Sequence, residues 1–370
     1  MAFSIPTVAK AWRYPPSQPS SWNSYHSLEL RNIPIPVPGK GEVLVKMHAA
    51  ALNSRVNQEI RTDLKIGRGA YPSSPKGYTM GPDGGGLIPT SDGTGEIVAV
   101  GEGVAGWAIG DRVHSLVSES WVSGPLKPEY WPTALGSETQ GCLAQYRIFP
   151  AEFILPIPDH LSYEEAASNI CAGMTAFHAL FDSGKQLQNS TVLVLGSGGV
   201  SVLGAQFAKA AGARVIATTS SQEKAQKYKD LGVDHVINYR ETPNWVEEVK
   251  KVTDGQGVDQ VLEIGGKGTL MGAIRSMNAG GVVHLIGSSQ DDTPITGFFD
   301  LTVALMSSEI KLNGVAVGGK DVGQRLDSFL SQHNLNPFLD PKVFGWHDAK
   351  EAFAYLESGA HFGKVVVRID

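Results

Sequence analysis

The chain has 370 residues, 42% hydrophobic and 18% charged, with a net charge of −6, which is enough for two domains that each bury a core. That acidic balance argues against nucleic acid and anionic membrane as partners, and two cysteines, Cys142 and Cys171, exclude a disulfide framework and a four-cysteine zinc lobe. No apolar run approaches the roughly 20 residues of a membrane span, and the N-terminal MAFSIPTVAKAWRYPPSQPS lacks a signal-peptide core, so a cytoplasmic protein is expected.

Residues 28–30 read as a short strand closed by the proline-rich stretch 33–38. Residues 42–51 (EVLVKMHAAA) alternate as a half-buried strand, and 53–64 are helical in pattern but polar. Residues 66–87 are dense in glycine and proline, so a long loop is expected, of the kind that is more often functional than idle. Strands follow at 93–101 (GTGEIVAVG) and after the turn at Gly110. A second long loop, 121–141, carries Trp121, Tyr130 and Trp131, and 143–149 and 154–157 are short strands. The first 160 residues therefore read as a twisted, mostly antiparallel β domain.

Ser162 and Glu165 then form an S-x-x-E capping box, and a second helix covers 176–182. Beyond it strands and helices alternate at α/β spacing: strands at 191–195, 214–218, 234–238, 258–264, 281–286 and 309–315, with helices at 222–231, 242 onward and 269–277. Six strands fill a doubly wound parallel sheet. Helices at 321–333 and 347–357 and a strand within 361–369 lie outside it, so this tail is expected to return to the first domain.

The organising stretch is TVLVLGSGGVSVLGAQFAKAAGARVIATT, residues 191–219. It reads as strand, glycine turn, helix, strand, with Ser201 where the third glycine of G-x-G-x-x-G would stand. Such a turn binds diphosphate because bare backbone admits the oxygens and free N–H groups with the helix dipole favour negative charge. A tight turn with no ligand is the alternative. Gly196, Ser197, Gly198, Gly199 and Val200 are the candidate diphosphate contacts. The second strand ends Thr218-Thr219-Ser220-Ser221 with no acid to pair a free ribose 2′-hydroxyl, and Lys224 follows. Hydroxyl donors, a lysine, and Tyr239 with Arg240 beyond the third strand suit a 2′-phosphate, so NADPH is expected rather than NADH. Solvated surface charge is the other reading of Lys224 and Arg240. Gly265, Gly287 and Ser288 follow the fourth and fifth strands, on the edge where ligands sit in open α/β sheets.

Taken in order, GEVLVKMHAAALN (41–53), SDGTGEIVAVGEGV (91–104), GDRV (110–113), LAQYRIFP (143–150), CAGMTAFHAL (171–180), the glycine-turn stretch and HFGKVVVRI (361–369) resemble the medium-chain dehydrogenase/reductase superfamily, nearest its zinc-independent, quinone-oxidoreductase-like and NAD(P)-dependent alcohol dehydrogenase-like branch. The resemblance implies a GroES-like catalytic domain (1–160 and 316–370) and a Rossmann domain (161–315), the cofactor between them, and a homodimer joined through Rossmann edge strands. It places Lys224 and Tyr239 at the 2′-phosphate, Thr175 at the nicotinamide or diphosphate, and Lys364 near the cleft.

Zinc relatives carry thiolate and imidazole ligands where this chain has Leu52-Asn53-Ser54 and Thr90-Ser91-Asp92, so no catalytic metal is expected. Without a Lewis acid, donors must hold the developing oxyanion. Conjugated carbonyls (quinones, enones or enoyl compounds) suit this because hydride addition leaves an enolate or phenolate. Candidates are Asn53, as donor or helix cap; Tyr71, similar to a quinone-reductase tyrosine or a packing aromatic; and Asp92, orienting water or substrate or closing a turn. Trp121, Tyr130 and Trp131 wall a flat substrate or belong to the core. Two rivals stand beside this reading: an NAD(P)-dependent alcohol dehydrogenase or carbonyl reductase, and a non-catalytic NADPH-binding module.

Overall fold

A computed structural model describes residues 5–16, 24–53, 85–287 and 298–370. It falls into two compact units, Met1–Ala172 with Gly318–Asp370, and Gly173–Val317. The first extends past residue 160 because the helix α1 (Tyr163–Ser168), closed by the full Ser162/Glu165 capping box, packs on strands of that unit.

The first unit is built around β3 (Glu42–Leu52). Two strands precede it, β1 (Val8–Arg13) and β2 (Glu29–Pro34), paired antiparallel. The stretch around Ile33 thus continues a strand, where its prolines suggested an end; Pro34 sits at the strand's last position, where the missing N–H is tolerated. β3 pairs antiparallel with β4 (Asp92–Val100), β6 (Tyr146–Pro150) and, from the far end of the chain, β14 (Val365–Arg368). β5 (Arg112–Ser115) and β7 (Ile154–Pro156) extend the sheet beyond β4.

The β3·β4 register runs Met47↔Gly95 and then Ala49↔Thr94, so His48 is one extra residue, a bulge. A one-residue slip exchanges the faces of a strand. Val43, Val45 and Met47 before the bulge, and Ala50 and Leu52 after it, share the main core with Trp12, Phe149, Trp346 and Phe353. Ala49 and Ala51 instead face Ala167 of α1 and Val366. Alanine at these positions leaves room for the helix to approach.

The loop 121–141 contains a 3-10 turn, Pro128–Thr133. Trp121 is buried, stacked on Tyr130 at 5.8 Å, its indole N–H bonded to Gly124 O; it belongs to the packing of the loop. The N–H groups of Lys320 and Asp321, at the start of the helix Lys320–His333, donate to Trp121 O and Val122 O. A helix N-terminus thereby pins this loop.

The second unit holds six parallel strands in the order β10-β9-β8-β11-β12-β13, the doubly wound arrangement. They are β8 (Thr191–Val194), β9 (Arg214–Thr219), β10 (His235–Asn238), β11 (Val258–Glu263), β12 (Met277–Leu285) and β13 (Lys311–Gly314). Met277, expected at a helix end, instead begins β12, because the β11·β12 register jumps from Val258↔Met277 to Gln260↔Val282 and takes Asn278–Gly281 as an irregularity. The helix expected from residue 242 starts at Trp245, after Asn244, with no side-chain cap. The helix Phe298–Ser307 was not anticipated. Among the described residues no helix is long and apolar enough to cross a membrane.

Candidate functional site

In the second unit the glycine turn is shaped by its neighbours. Gly196 has φ +76°, a left-handed conformation open to glycine. Its N–H donates to Thr218 Oγ1 at 3.1 Å, and the buried Tyr228 hydroxyl donates to its carbonyl at 2.7 Å. Ser201, in the third-glycine position, is buried and turns its hydroxyl onto Leu195 O at 2.7 Å. The close helix–strand packing that the third glycine serves falls to Gly204, where a Cβ would stand 2.3 Å from Leu262 Cδ1.

The helix Gly199–Ala210 follows Gly198, which offers no side-chain cap. The first-turn amides of Gly199, Val200 and Ser201 have no acceptor within the helix, and a Cβ at Gly198 would meet nothing within 4 Å. That open cradle at a dipole's positive end fits a diphosphate.

At the end of β9, Thr219 Oγ1 is buried without a partner. Ser220 follows it, and Ser221 is the N-cap of the helix Gln222–Asp230, accepting from Lys224 N–H; its hydroxyl proton remains to donate. The Lys224 side chain is buried, and Tyr239, whose N–H donates to Thr219 O, is 41% exposed. Thr175 lies buried near the start of the helix Met174–Phe181.

Gly265 and Gly287 do different work. The Glu263 carboxylate, fully buried at the end of β11, accepts from Gly265 N–H at 2.9 Å, from Gly266 N–H, and from the Thr269 hydroxyl. Burial raises its pKa and these three donors oppose the rise. Gly287 packs on Ile264, where a Cβ would lie 2.1 Å from the carbonyl oxygen. Ser288 and Tyr71 lie outside the described residues.

In the first unit Asn53, Asp92 and Lys364 form one buried cluster. Asp92 opens β4 opposite Ala51, and Lys364 precedes β14, whose Val365 pairs with Leu52. All three are at most 8% exposed. The Lys364 ammonium donates to Leu52 O at 2.8 Å, Asn53 Oδ1 at 2.7 Å and Asp92 Oδ2 at 3.2 Å. Three N–H groups meet three oxygens, so the lysine, which the resemblance places near the cleft, braces this cluster. Asp92 also accepts from the Ser91 hydroxyl at 2.6 Å and Cys171 N–H at 3.3 Å. Asn53 Nδ2 is buried with no partner among the described residues.

The cluster sits on the face of β3 that Ala49 and Ala51 present to α1, so the His48 bulge decides where Asn53 points. Ser91 and Thr90, which complete this corner, were missed as site residues; Ser91 carried a signal in its place beside Asp92. Among the described residues the carboxylate at this corner, Asp92, is matched by an ammonium that would repel a dication, and no three His, Cys, Asp or Glu side chains converge to hold a metal ion.

Comparison with known proteins agrees with this two-part architecture. Residues 39–159 match the family model of the alcohol dehydrogenase GroES-like domain, and residues 199–332 match that of zinc-binding dehydrogenases. The chain is 37% identical over 333 residues to a zinc-type alcohol dehydrogenase-like protein of Schizosaccharomyces pombe, covering 89% of this chain and 91% of the relative. It is 30% identical over 370 residues to 2-methylene-furan-3-one reductase of Solanum lycopersicum, covering 99% and 80%. The crystal structure of an NAD-dependent alcohol dehydrogenase is similar at 28% identity with a TM-score of 0.81, covering 98% of this chain and all of that one.

Proposed function

Since the chain belongs to the medium-chain dehydrogenase/reductase superfamily of oxidoreductases, we propose that it is a zinc-independent, NADPH-dependent reductase of conjugated carbonyl compounds: quinones, enones or enoyl derivatives. The observation that carries this reading is the Asn53–Asp92–Lys364 cluster. Where a metal would need thiolate and imidazole, the chain has a neutralised carboxylate and an amide donor without an acceptor. An amide donor stabilises an enolate or phenolate oxygen more readily than a localised alkoxide, which calls for a Lewis acid.

The bound nucleotide would supply the hydride. Gly196–Val200 and the first-turn amides hold its diphosphate. Thr219, Ser220, Ser221, Lys224 and Tyr239 favour a 2′-phosphate over the bare ribose, since no carboxylate ends β9. The 2-methylene-furan-3-one reductase among the relatives supports the substrate class by analogy. A second reading, NAD-dependent alcohol oxidation, is favoured by the likeness to an NAD-dependent alcohol dehydrogenase.

The test is nucleotide oxidation, followed by absorbance, against quinones, enones, enoyl thioesters and aldehydes, with and without chelator. The expected result is turnover of a conjugated acceptor with NADPH, indifferent to chelator. Turnover restricted to alcohols with NAD, or abolished by chelator, refutes the reading.

A homodimer is also proposed. The edge strand β13 exposes Leu312, and the helix Phe298–Ser307 before it exposes Phe299, Val303 and Met306, an apolar edge that a second copy would cover. Sedimentation of a monomer at micromolar concentration would refute it.

A further inference from the structure

Two buried polar atoms near one end of the β3·β4 ladder lack a partner among the described residues: Asn53 Nδ2 and Thr90 Oγ1. The direction of the Asn53 amide is set by chemistry. Lysine only donates, so Oδ1 must face Lys364, and Nδ2 is left as the donor end. The β3·β4 register runs Ala49↔Thr94, Ala50↔Gly93, Ala51↔Asp92. Asn53 and Thr90 each lie two residues beyond that last pair, at the same end of the ladder.

Thr90 is fully buried and has φ 73°, a left-handed conformation that a β-branched residue rarely takes. Its surroundings hold it there. Cys142 N–H donates to Thr90 O at 2.8 Å, Leu143 N–H to Pro89 O at 3.2 Å, and Gly141 N–H to Ile88 O at 2.7 Å. Gly136 and Gly141 pass so close that a Cβ would lie 2.6 Å from Thr90 N and 2.3 Å from Thr90 O. Glycine would take this backbone position without strain. Threonine adds a hydroxyl that bonds to nothing among the described residues. Strain that the surroundings enforce, together with an unused polar group, marks a position kept for a ligand.

We propose that Thr90 Oγ1 and Asn53 Nδ2 are paired donors to one substrate oxygen, with Lys364 and Asp92 as positioning residues that aim the amide. The proposal rests on the reductase reading above and names how that site takes its substrate. One oxygen has lone pairs for both donors, and each donor keeps its proton. Charge delivered onto a conjugated carbonyl collects at this oxygen, so both bonds strengthen as hydride arrives.

Thr90→Gly removes the hydroxyl while relieving the backbone, and Thr90→Ser keeps the hydroxyl. The probe is 4-nitrophenolate, an enolate-like oxyanion whose visible band shifts on accepting hydrogen bonds, titrated into the full chain with oxidised nucleotide present. Thr90→Gly should melt no lower than the parent and bind NADPH equally. It should lose phenolate affinity by about tenfold or more, with a smaller band shift, and lose kcat on a conjugated carbonyl by a similar factor. Thr90→Ser should stay within about threefold of the parent on both counts. Phenolate binding that Thr90→Gly leaves unchanged, or that is absent from the parent protein, overturns the paired-donor site. If phenolate binding depends on Thr90 but no conjugated carbonyl is reduced, the reductase reading falls and the oxygen site stands.

Discussion

Replacing Lys364 by Met tests the buried cluster directly. At 3.2 Å from Asp92 Oδ2, an effective dielectric of about 20 gives roughly 5 kcal/mol of attraction. Most of that offsets the desolvation of two groups whose side chains are 3% and 0% exposed. Lys364→Met strands the Asp92 carboxylate on the Ser91 hydroxyl and Cys171 amide, and strips the donor from Leu52 O and Asn53 Oδ1. A cost of about 3–5 kcal/mol follows. Asp92→Asn should cost less, about 2–3 kcal/mol, because Lys364 keeps two acceptors. The double variant removes both charges and should be destabilised by about 2 kcal/mol less than the singles together. Urea unfolding followed by tryptophan fluorescence measures all three corners. Additivity within about 0.5 kcal/mol would show that the two groups do not act as a pair, and the assignment of Lys364 as a brace would fail.

Three further outcomes are expected. Lys224→Ala should raise the KM for NADPH about tenfold or more with kcat little changed, as loss of uniform binding does, and equal effects on NADPH and NADH would refute the 2′-phosphate assignment. His114 sets Nδ1 against Ser115 O at 2.8 Å and Nε2 against Asp327 Oδ2 at 3.0 Å, two acceptors that require a doubly protonated ring; burial lowers its pKa, but Asp327, the Ser115 carbonyl and Asp92 together hold it above the usual value. The pair's stabilisation is therefore complete below the ordinary histidine range near about 6.5 and lost as pH rises through the raised value, so Asp327→Asn should flatten the fall of the melting temperature above neutrality, and an unchanged slope would refute the ion pair. Gly204→Ala drives a methyl onto Leu262 and should cost about 1–3 kcal/mol in thermal stability, with part recovered by adding Leu262→Ala.

The parts of this molecule written in local pattern could be read from the sequence. The capping box at Ser162, the glycine turn and the β–α alternation each lie within a few residues, where periodicity and backbone chemistry act. The site in the first unit is different. Asn53 and Asp92 were visible as candidates, but Lys364 lies 311 residues from Asn53 and 272 from Asp92, and no local rule shows that its three N–H groups are consumed by these partners. Thr90 gave no signal because a positive φ at threonine contradicts its own propensity and is imposed by the segment 141–143 that hydrogen-bonds to it and its neighbours. Ser201 and Gly204 divide a role that the motif assigns to one residue, and only the contact with Leu262 reveals it.

The return of β14 to β3 also has a bearing on synthesis. The second unit is one unbroken stretch, Gly173–Val317, and every strand of its sheet is complete once that stretch has left the ribosome. The first unit is begun before it and finished after it, since Ala49–Leu52 wait for Val365–Arg368. During translation the nucleotide-binding half is therefore free to fold, and to take up its nucleotide, while the half that holds the Asn53 cluster still has an open sheet edge. A nascent chain arrested before Lys364 would be a nucleotide binder whose other half is exposed to chaperones and proteases.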